Sequence, residues 1–309
     1  MSVLYIGGTG RSGSTVLTRL LGQNPGVAAV GELRYALRRG VVGNQLCGCG
    51  EPFRSCPFWI EVYDSALGGM DVDAAKHLIT ISHHLDRIRF APVLLADALR
   101  TPSFRARLNE YSAYLDALYR SVAEVADAKV VIDSSKDPSH AYVVRSIPTI
   151  DLSLLHLVRD SRAVAFSFMR ERVRPEVHWK VAFMRKRSPW QSSRSWTENN
   201  LLFDVLARSG IPHKRLRYED FARAPEATIT DLTQWLGLDP GSATSGNESW
   251  CGHDISGNPV RFSTKPLVVS EDDEWRTAMK PRDRRIVSWT TAPLMRRYGY
   301  RPLKDDASG

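Results

Sequence analysis

Residues 2–15 read Ser2-Val3-Leu4-Tyr5-Ile6-Gly7-Gly8-Thr9-Gly10-Arg11-Ser12-Gly13-Ser14-Thr15, and they decide how the chain folds. The apolar run 2–7 stops at Gly7-Gly8, as a buried parallel strand does. A glycine-rich turn follows, then an apolar-periodic helix over about 14–23, ended by Asn24-Pro25-Gly26. Strand, glycine turn and helix in this order make an anion cradle. Spaced glycines let backbone N–H groups face inward, and the helix N-terminus adds partial positive charge. Gly8, Gly13 and Thr15 fit the nucleotide-binding pattern GxxxxGK[ST], but Ser14 stands where the pattern has lysine. That lysine reaches the β- and γ-phosphates of a triphosphate. Its absence favours a donor with one 5′ phosphate carrying a further group. A plain glycine turn capped by Ser14 is the structural alternative.

Outward from this unit the chain alternates. A short β-to-helix step covers 28–40. A strand at 130–132 ends at Asp133-Ser134-Ser135-Lys136, and one at 152–158 ends at Arg159-Asp160-Ser161 and leads into a helix. Helices follow at 190–209, 225–236 and 281–297, with a strand at 213–217 before Tyr218-Glu219-Asp220-Phe221. Alternation of this kind predicts an α/β fold with a parallel sheet flanked by helices and a ligand at the carboxyl ends of the strands. The unusual polar sequences fall at those ends. The stretch 58–128 breaks the alternation and reads as mostly helical, with Phe104, Leu108, Tyr111, Leu115, Leu118, Val122 and Val125 at steps of three and four. It is expected to be an insertion lying over the acceptor site, within a single domain spanning 1–309.

Composition bounds the function. Of 309 residues 43% are hydrophobic and 25% charged, enough apolar material for a core and against global disorder. Lys plus Arg number 42 against 34 Asp plus Glu, a net charge of +8 that favours an anionic partner. No apolar run approaches the ~18 residues of a membrane span. The first residues carry neither the basic flank nor the apolar stretch of a signal peptide. Four cysteines are too few for a disulfide scaffold, so a cytoplasmic protein is expected.

The segment Leu157-Val158-Arg159-Asp160-Ser161-Arg162-Ala163-Val164-Ala165-Phe166-Ser167 offers a second anion site. Arg159 leaves a buried strand, and Ser167 follows inside the next helix. Guanidinium and hydroxyl can converge on one phosphate. Taken with the glycine loop, these residues resemble the sulfotransferases that use 3′-phosphoadenosine 5′-phosphosulfate (PAPS). The loop is similar to the family's 5′-phosphosulfate loop in its arginine-bearing form R-S-G-[ST]-T, and Arg159–Ser167 to its 3′-phosphate motif. The likeness covers about 2–40 and 129–236. It is nearer to the bacterial, tyrosyl-protein and carbohydrate branches than to the phenol and steroid type. The resemblance implies a P-loop-like parallel sheet and donor contacts from Gly10, Arg11, Ser12, Gly13, Ser14 and Thr15. It also implies PAPS as donor, adenosine 3′,5′-bisphosphate (PAP) as product, and a hydroxylated acceptor: carbohydrate, phenol, lipid or natural product.

Glu32, in Val30-Gly31-Glu32-Leu33-Arg34, lies one step along the sheet from the loop. A carboxylate there can take the acceptor's proton, and the resemblance implies that role for it. Lys136, in Lys136-Asp137-Pro138, can hold the transferring group or steady the departing phosphate. Asp133 is the second candidate base. The reaction implied is an in-line displacement on sulfur, with Arg11, Lys136 and backbone amides handling charge and no metal required.

Late in the chain, 237–270 is Gly/Ser/Asn-rich. Family members close a basic loop over the 3′ phosphate, and Asn258 and Arg261 are the candidates here, with Tyr218 at the adenine edge. Cys47, Cys49 and Cys56 have the spacing C-x-C-x₆-C rather than C-x₂-C. A reduced loop is the first reading, a disulfide between two of them the second, and zinc with Cys251 as fourth ligand the third. Arg170, Arg172, Arg174, Arg185, Arg187 and Arg194, interleaved with Trp179, Trp190 and Trp196, form either a solvated face or a surface for the acceptor. Two other functions compete. A P-loop kinase would need the missing lysine and a magnesium-binding acid. A nucleic-acid-binding protein would need a continuous basic stripe, whereas the charge here gathers at strand ends, so no nucleic-acid partner is expected.

Overall fold

The computed structural model describes residues 1–238, 252–263, 267 and 269–301. Five strands form one parallel sheet: β1 (Ser2–Gly8), β2 (Val27–Ala29), β3 (Val130–Asp133), β4 (Asp151–Val158) and β5 (His213–Arg217), in the order β2-β3-β1-β4-β5. β1 is central, with Leu4 opposite Ile132 on one side and Ser153 on the other. The chain leaves β1 towards β2 and later returns to the opposite side with β4. The strand order therefore reverses beside the end of β1, where α/β sheets place their ligands.

Period-2 alternation builds the core. Val3, Tyr5, Val131, Leu152 and Leu154 face one layer, whereas Leu4, Ile6, Val130, Ile132, Leu155 and Leu157 face the other. The second layer is covered by α1 (Ser14–Leu21) and, further on, α9 (Tyr218–Arg223) and α10 (Pro225–Trp235). The first is covered by α2 (Pro57–Leu67), α3 (Val72–Leu85), α4 (Ala91–Leu95), α5 (Pro102–Val125), α6 (Pro138–Arg145) and part of α8 (Pro189–Ala207).

α7 (Ser161–Met169) starts directly from β4 because Asp160 caps it, accepting from the Arg162 N–H at 2.8 Å. α8 opens with a capping box between Ser188 and Gln191. α11 (Glu274–Ala278) and α12 (Pro281–Arg297) close the described chain against α7 and α8. Among the described residues no helix is long and apolar enough to cross a membrane.

The helices of 58–128 form as their spacing predicts, but their apolar faces meet the sheet. Phe104, Leu108, Tyr111, Leu115, Leu118 and Val122 are all buried in the first layer. A helical pattern shows that one face is buried without showing against what. Here that face shares one core with the sheet's Val3, Tyr5 and Val131, and none of the block's residues lines the main cleft. That wall is built by a short hairpin instead, in which Arg174 N–H donates to Ala182 O and Met184 N–H to Arg172 O.

Candidate active site

A cleft of about 480 Å³ opens at the carboxyl ends of β1 and β3. Its lining includes Gly10, Arg11, Gly13, Ser14 and Thr15 from the glycine loop, Glu32, Tyr35 and Arg39 after β2, Lys136 after β3, and Ser256 and Asn258 from the late segment. The loop needs its glycine at position 13. Gly13 has φ 90°, and a Cβ there would lie 2.3 Å from the Tyr218 ring. α1 begins at Gly13 without a side-chain cap, so its first N–H groups remain available to an anion.

Backbone strain gathers at this cleft. Among the described residues five non-glycines have positive φ. Two are Asn44 and Asp127, types that tolerate the left-handed region. The other three are Arg11 (φ 71°), Lys136 (φ 59°) and Ser256 (φ 64°), and all three line the cleft. Each such residue costs about 1–3 kcal/mol, a cost that persists where the surroundings hold a functional geometry.

Glu32 sits at the centre. Gly31 before it has φ 78°, and a Cβ there would meet the Ile255 carbonyl at 2.6 Å. The close approach lets Glu32 N–H donate to Ile255 O (2.8 Å) and Ile255 N–H to Val30 O (2.9 Å), so the late segment docks along the end of β2. Lys136 Nζ pairs with Glu32 Oε1 at 2.7 Å, and Ser256 Oγ donates to Oε2 at 2.8 Å. Arg39 donates to the Ser256 hydroxyl. Burial pushes the Glu32 carboxyl upward, but Lys136, Arg39 and the two hydrogen bonds outweigh it and hold it below the usual carboxylate range. Glu32 is therefore ionised at neutral pH and able to accept a proton.

Removing Lys136 leaves burial with less opposition. Lys136→Met is expected to move the acid limb of the kcat/KM profile to higher pH, because Glu32 then protonates earlier as pH falls. A pH–rate profile of the variant checks this, and an unmoved limb would mean that Glu32 does not govern it.

Arg11 faces the same space as a cation without a carboxylate partner among the described residues. Its guanidinium lies against the Met184 sulfur and over the Phe168 ring. Burial first, then the nearby Arg172, pulls it down to about 10. Asp133, the second candidate base, is of another kind. It is fully buried and accepts from Tyr119 OH (2.6 Å), Ser135 N–H (2.8 Å) and the Ser135 hydroxyl, with His140 nearby. It lines neither cavity and anchors the 133–136 turn, while Lys136 pairs with Glu32 instead of with it.

A smaller cavity of about 280 Å³ adjoins the first across the Gly13–Tyr218 contact, lined by Arg159, Arg162, Tyr218, Asp272 and others. Arg159 donates to Arg11 O and pairs with Asp272, both at 3.0 Å, and its guanidinium lies over the Tyr218 ring. Tyr218 donates its hydroxyl to Ser270 O.

The candidate residues thus divide. Gly10, Arg11, Gly13, Ser14, Thr15, Glu32, Lys136 and Asn258 share the cleft, and Arg159 and Tyr218 share the adjoining cavity. Ser12, Ser167 and Arg261 are buried and line neither. Among the described residues the Ser12 hydroxyl has no hydrogen-bond partner. Arg261 departs from its expected phosphate contact. The residue is 2% exposed and its guanidinium donates to Asp254 O and Leu46 O, so it holds the late segment against the cysteine loop. Asn258 N–H donates to the Thr15 hydroxyl at 3.3 Å, tying that segment to the glycine loop. Of the basic region, Arg174, Arg185 and Arg187 line the cleft, and Trp196 is buried as a donor to Arg159 O.

Sequence reasoning missed Arg39, Ser256 and Asp272. Arg39 lies in a π-helical turn, Ala36–Val42, where side chains leave the 3.6-residue rhythm. Ser256 and Asp272 reach the site through contacts more than 100 residues apart in sequence.

The sulfotransferase family model matches residues 4–240. Over 180 residues the chain is 27% identical to carbohydrate sulfotransferase 3 of Homo sapiens, a match covering 52% of this chain and 36% of that protein. The chain thus spans about a third of the length of that curated relative. Two solved structures share the fold. The sulfotransferase domain of the Synechococcus PCC 7002 olefin synthase has a TM-score of 0.54 at 19% identity, over 97% of this chain and 95% of that one. The sulfotransferase domain from the curacin biosynthetic pathway has a TM-score of 0.56 at 16% identity, over 97% of both chains.

Proposed function

The chain belongs to the sulfotransferase family, and we propose that it moves a sulfuryl group from PAPS to the hydroxyl of an acceptor, with Glu32 as general base. One observation carries this reading. Arg11, a half-buried cation lacking a carboxylate partner among the described residues, faces a cleft in which an ionised carboxylate and a lysine are already set together. An anionic group that reacts with a deprotonating hydroxyl fits that arrangement.

In the proposed reaction the acceptor oxygen attacks sulfur and the bond from sulfur to the bridging phosphate oxygen breaks. PAP departs with the electron pair, and the acceptor proton passes to Glu32. The α1 N-terminus and Arg11 stabilise charge on the leaving phosphate, worth more in a partly dry cleft than in water. Lys136 keeps Glu32 ionised and lies beside the transferring group. The smaller cavity takes the nucleotide's 3′ phosphate at Arg159, which exchanges Asp272 for the phosphate, with Tyr218 towards the adenine; Ser167, buried outside both cavities, joins it only if α7 shifts. A sulfuryl group carries less charge than a phosphoryl group, so protein cations suffice and no divalent ion takes part in the transfer.

The acceptor side is the wall of Arg174, Arg185, Arg187 and Phe183. The name of the human relative supports a carbohydrate hydroxyl; phenols, lipids and natural products complete the set. The test is transfer of ³⁵S from labelled PAPS to a panel of hydroxylated acceptors, without added divalent ions. Labelled product from one class supports the reading. A requirement for magnesium together with labelling from ATP's γ-phosphate would replace it with a kinase.

A further inference from the structure

Outside the lining of the cleft, three cysteines and a histidine meet. Cys47, Cys49 and Cys56 are free thiols, two of them buried. Cys49 Sγ lies 3.7 Å from Cys56 Sγ. His253 Nδ1 lies 3.3 Å from Cys56 Sγ and 3.7 Å from Cys47 Sγ. All four ligand atoms fall within 4.8 Å of one another. A disulfide would bring two sulfurs to about 2.0 Å, so the spacing argues against the disulfide reading of this loop. A tetrahedron with Zn–S of about 2.3 Å and Zn–N of about 2.0 Å has S···S edges of about 3.8 Å and S···N edges of about 3.5 Å. The observed separations are of that size.

The chain is shaped to hold this geometry. Cys47 N–H donates to Glu51 O and Gly50 N–H to Cys47 O, which folds 47–51 into a tight turn presenting two thiols to one side. Cys56 stands at the start of α2. The His253 ring stacks on Phe58 at 4.6 Å with an 8° tilt, and its carbonyl accepts from Trp59 Nε1 at 3.0 Å. These contacts turn Nδ1 towards the thiols.

We infer that Cys47, Cys49, Cys56 and His253 form a structural zinc site that pins the late segment 252–263 to the cysteine loop and so positions the active site. Three thiolates and an imidazole are a soft set suited to zinc. Four protein ligands leave no open coordination position, which marks the site as structural and separates it from the metal-free transfer step. On binding, three thiol protons are released to solvent and His253 coordinates as neutral imidazole. Two residues beyond His253, Ile255 exchanges hydrogen bonds with Val30 and Glu32, and Ser256 then donates to the Glu32 carboxylate. Asn258 reaches Thr15 of the glycine loop. The metal thus fixes one end of a strap whose other contacts hold Glu32 and the phosphosulfate loop. The fourth ligand lies 197 residues after Cys56, which is why cysteine spacing alone concealed it; Cys251, the fourth ligand named from the sequence, lies outside the described residues.

The test is metal analysis of the purified full chain, with no substrate present. One zinc per chain is expected, and cobalt in its place should give the charge-transfer and ligand-field bands of a tetrahedral thiolate site. His253→Ala should lose the metal. His253→Cys, which keeps a ligand, should retain it with a shifted cobalt spectrum, so a folding failure of the first variant does not decide the matter. Stripping the zinc should speed amide hydrogen exchange across 255–258. Three results would overturn the assignment: no zinc in protein made with zinc supplied, an intact Cys49–Cys56 disulfide in the native protein, or metal kept by His253→Ala and lost by Cys251→Ser. Because the readout is metal content, it is independent of whether PAPS is the donor.

Discussion

Replacing Glu32 by glutamine is expected to lower kcat by about 10²–10⁴-fold, the range a general base contributes, while PAP affinity stays nearly unchanged. Glutamine keeps the side chain's size, and its carbonyl oxygen can still accept from Lys136 while its NH2 donates to the Ser256 hydroxyl, but it cannot take a proton. Steady-state kinetics with a saturating acceptor, beside calorimetric PAP titration, separates the two quantities. Near-normal kcat would remove the base from Glu32. Loss of PAP binding would make Glu32 a structural residue of the loop. Asp133→Asn gives the contrast. Its carboxylate is enclosed by Tyr119, Ser135 and His140, so that change should appear first as lowered stability.

Arg11→Met has the second large effect, and its two consequences point in opposite directions. Removal of one preorganised donor at a developing charge costs about 10²–10³-fold in kcat. Stability should nevertheless hold or rise. Arg11 is half-buried, pulled down to about 10 by burial and then by Arg172, and methionine fills similar space without a charge to desolvate. Thermal unfolding and kinetics on the same preparation check the pair. A lower Tm accompanying the lost activity would assign Arg11 to the fold.

Much of the architecture is legible along the chain because its causes are local. The alternation of Val3, Leu4, Tyr5 and Ile6 between two buried layers, the glycine turn and the strand ends at Lys136 and Arg159 all follow from neighbouring residues. What escaped the sequence is what long-range pairing decides. Arg261 is basic and sits in a loop, which suggests a phosphate, yet it spends its donors on the Asp254 and Leu46 carbonyls. Asp272 neutralises Arg159 from more than 100 residues away. The helical block carries a strong apolar face, but periodicity does not say whether that face meets a ligand cleft or the sheet. His253 joins three cysteines that a spacing rule set aside. In each case the residue type was informative, and the partner was fixed by the path of the chain between.

The measurement that bears most directly on the donor is a pair of calorimetric titrations, PAP against 5′-AMP, on the unmodified chain. The two ligands differ by the 3′ phosphate alone. A charge-assisted contact to that phosphate is worth about 1.5–3 kcal/mol, so PAP should bind more than about tenfold tighter. The difference should shrink in Arg159→Ala. Equal affinities for the two nucleotides in the unmodified protein would contradict a 3′-phosphate site at Arg159, and with it PAPS as the donor.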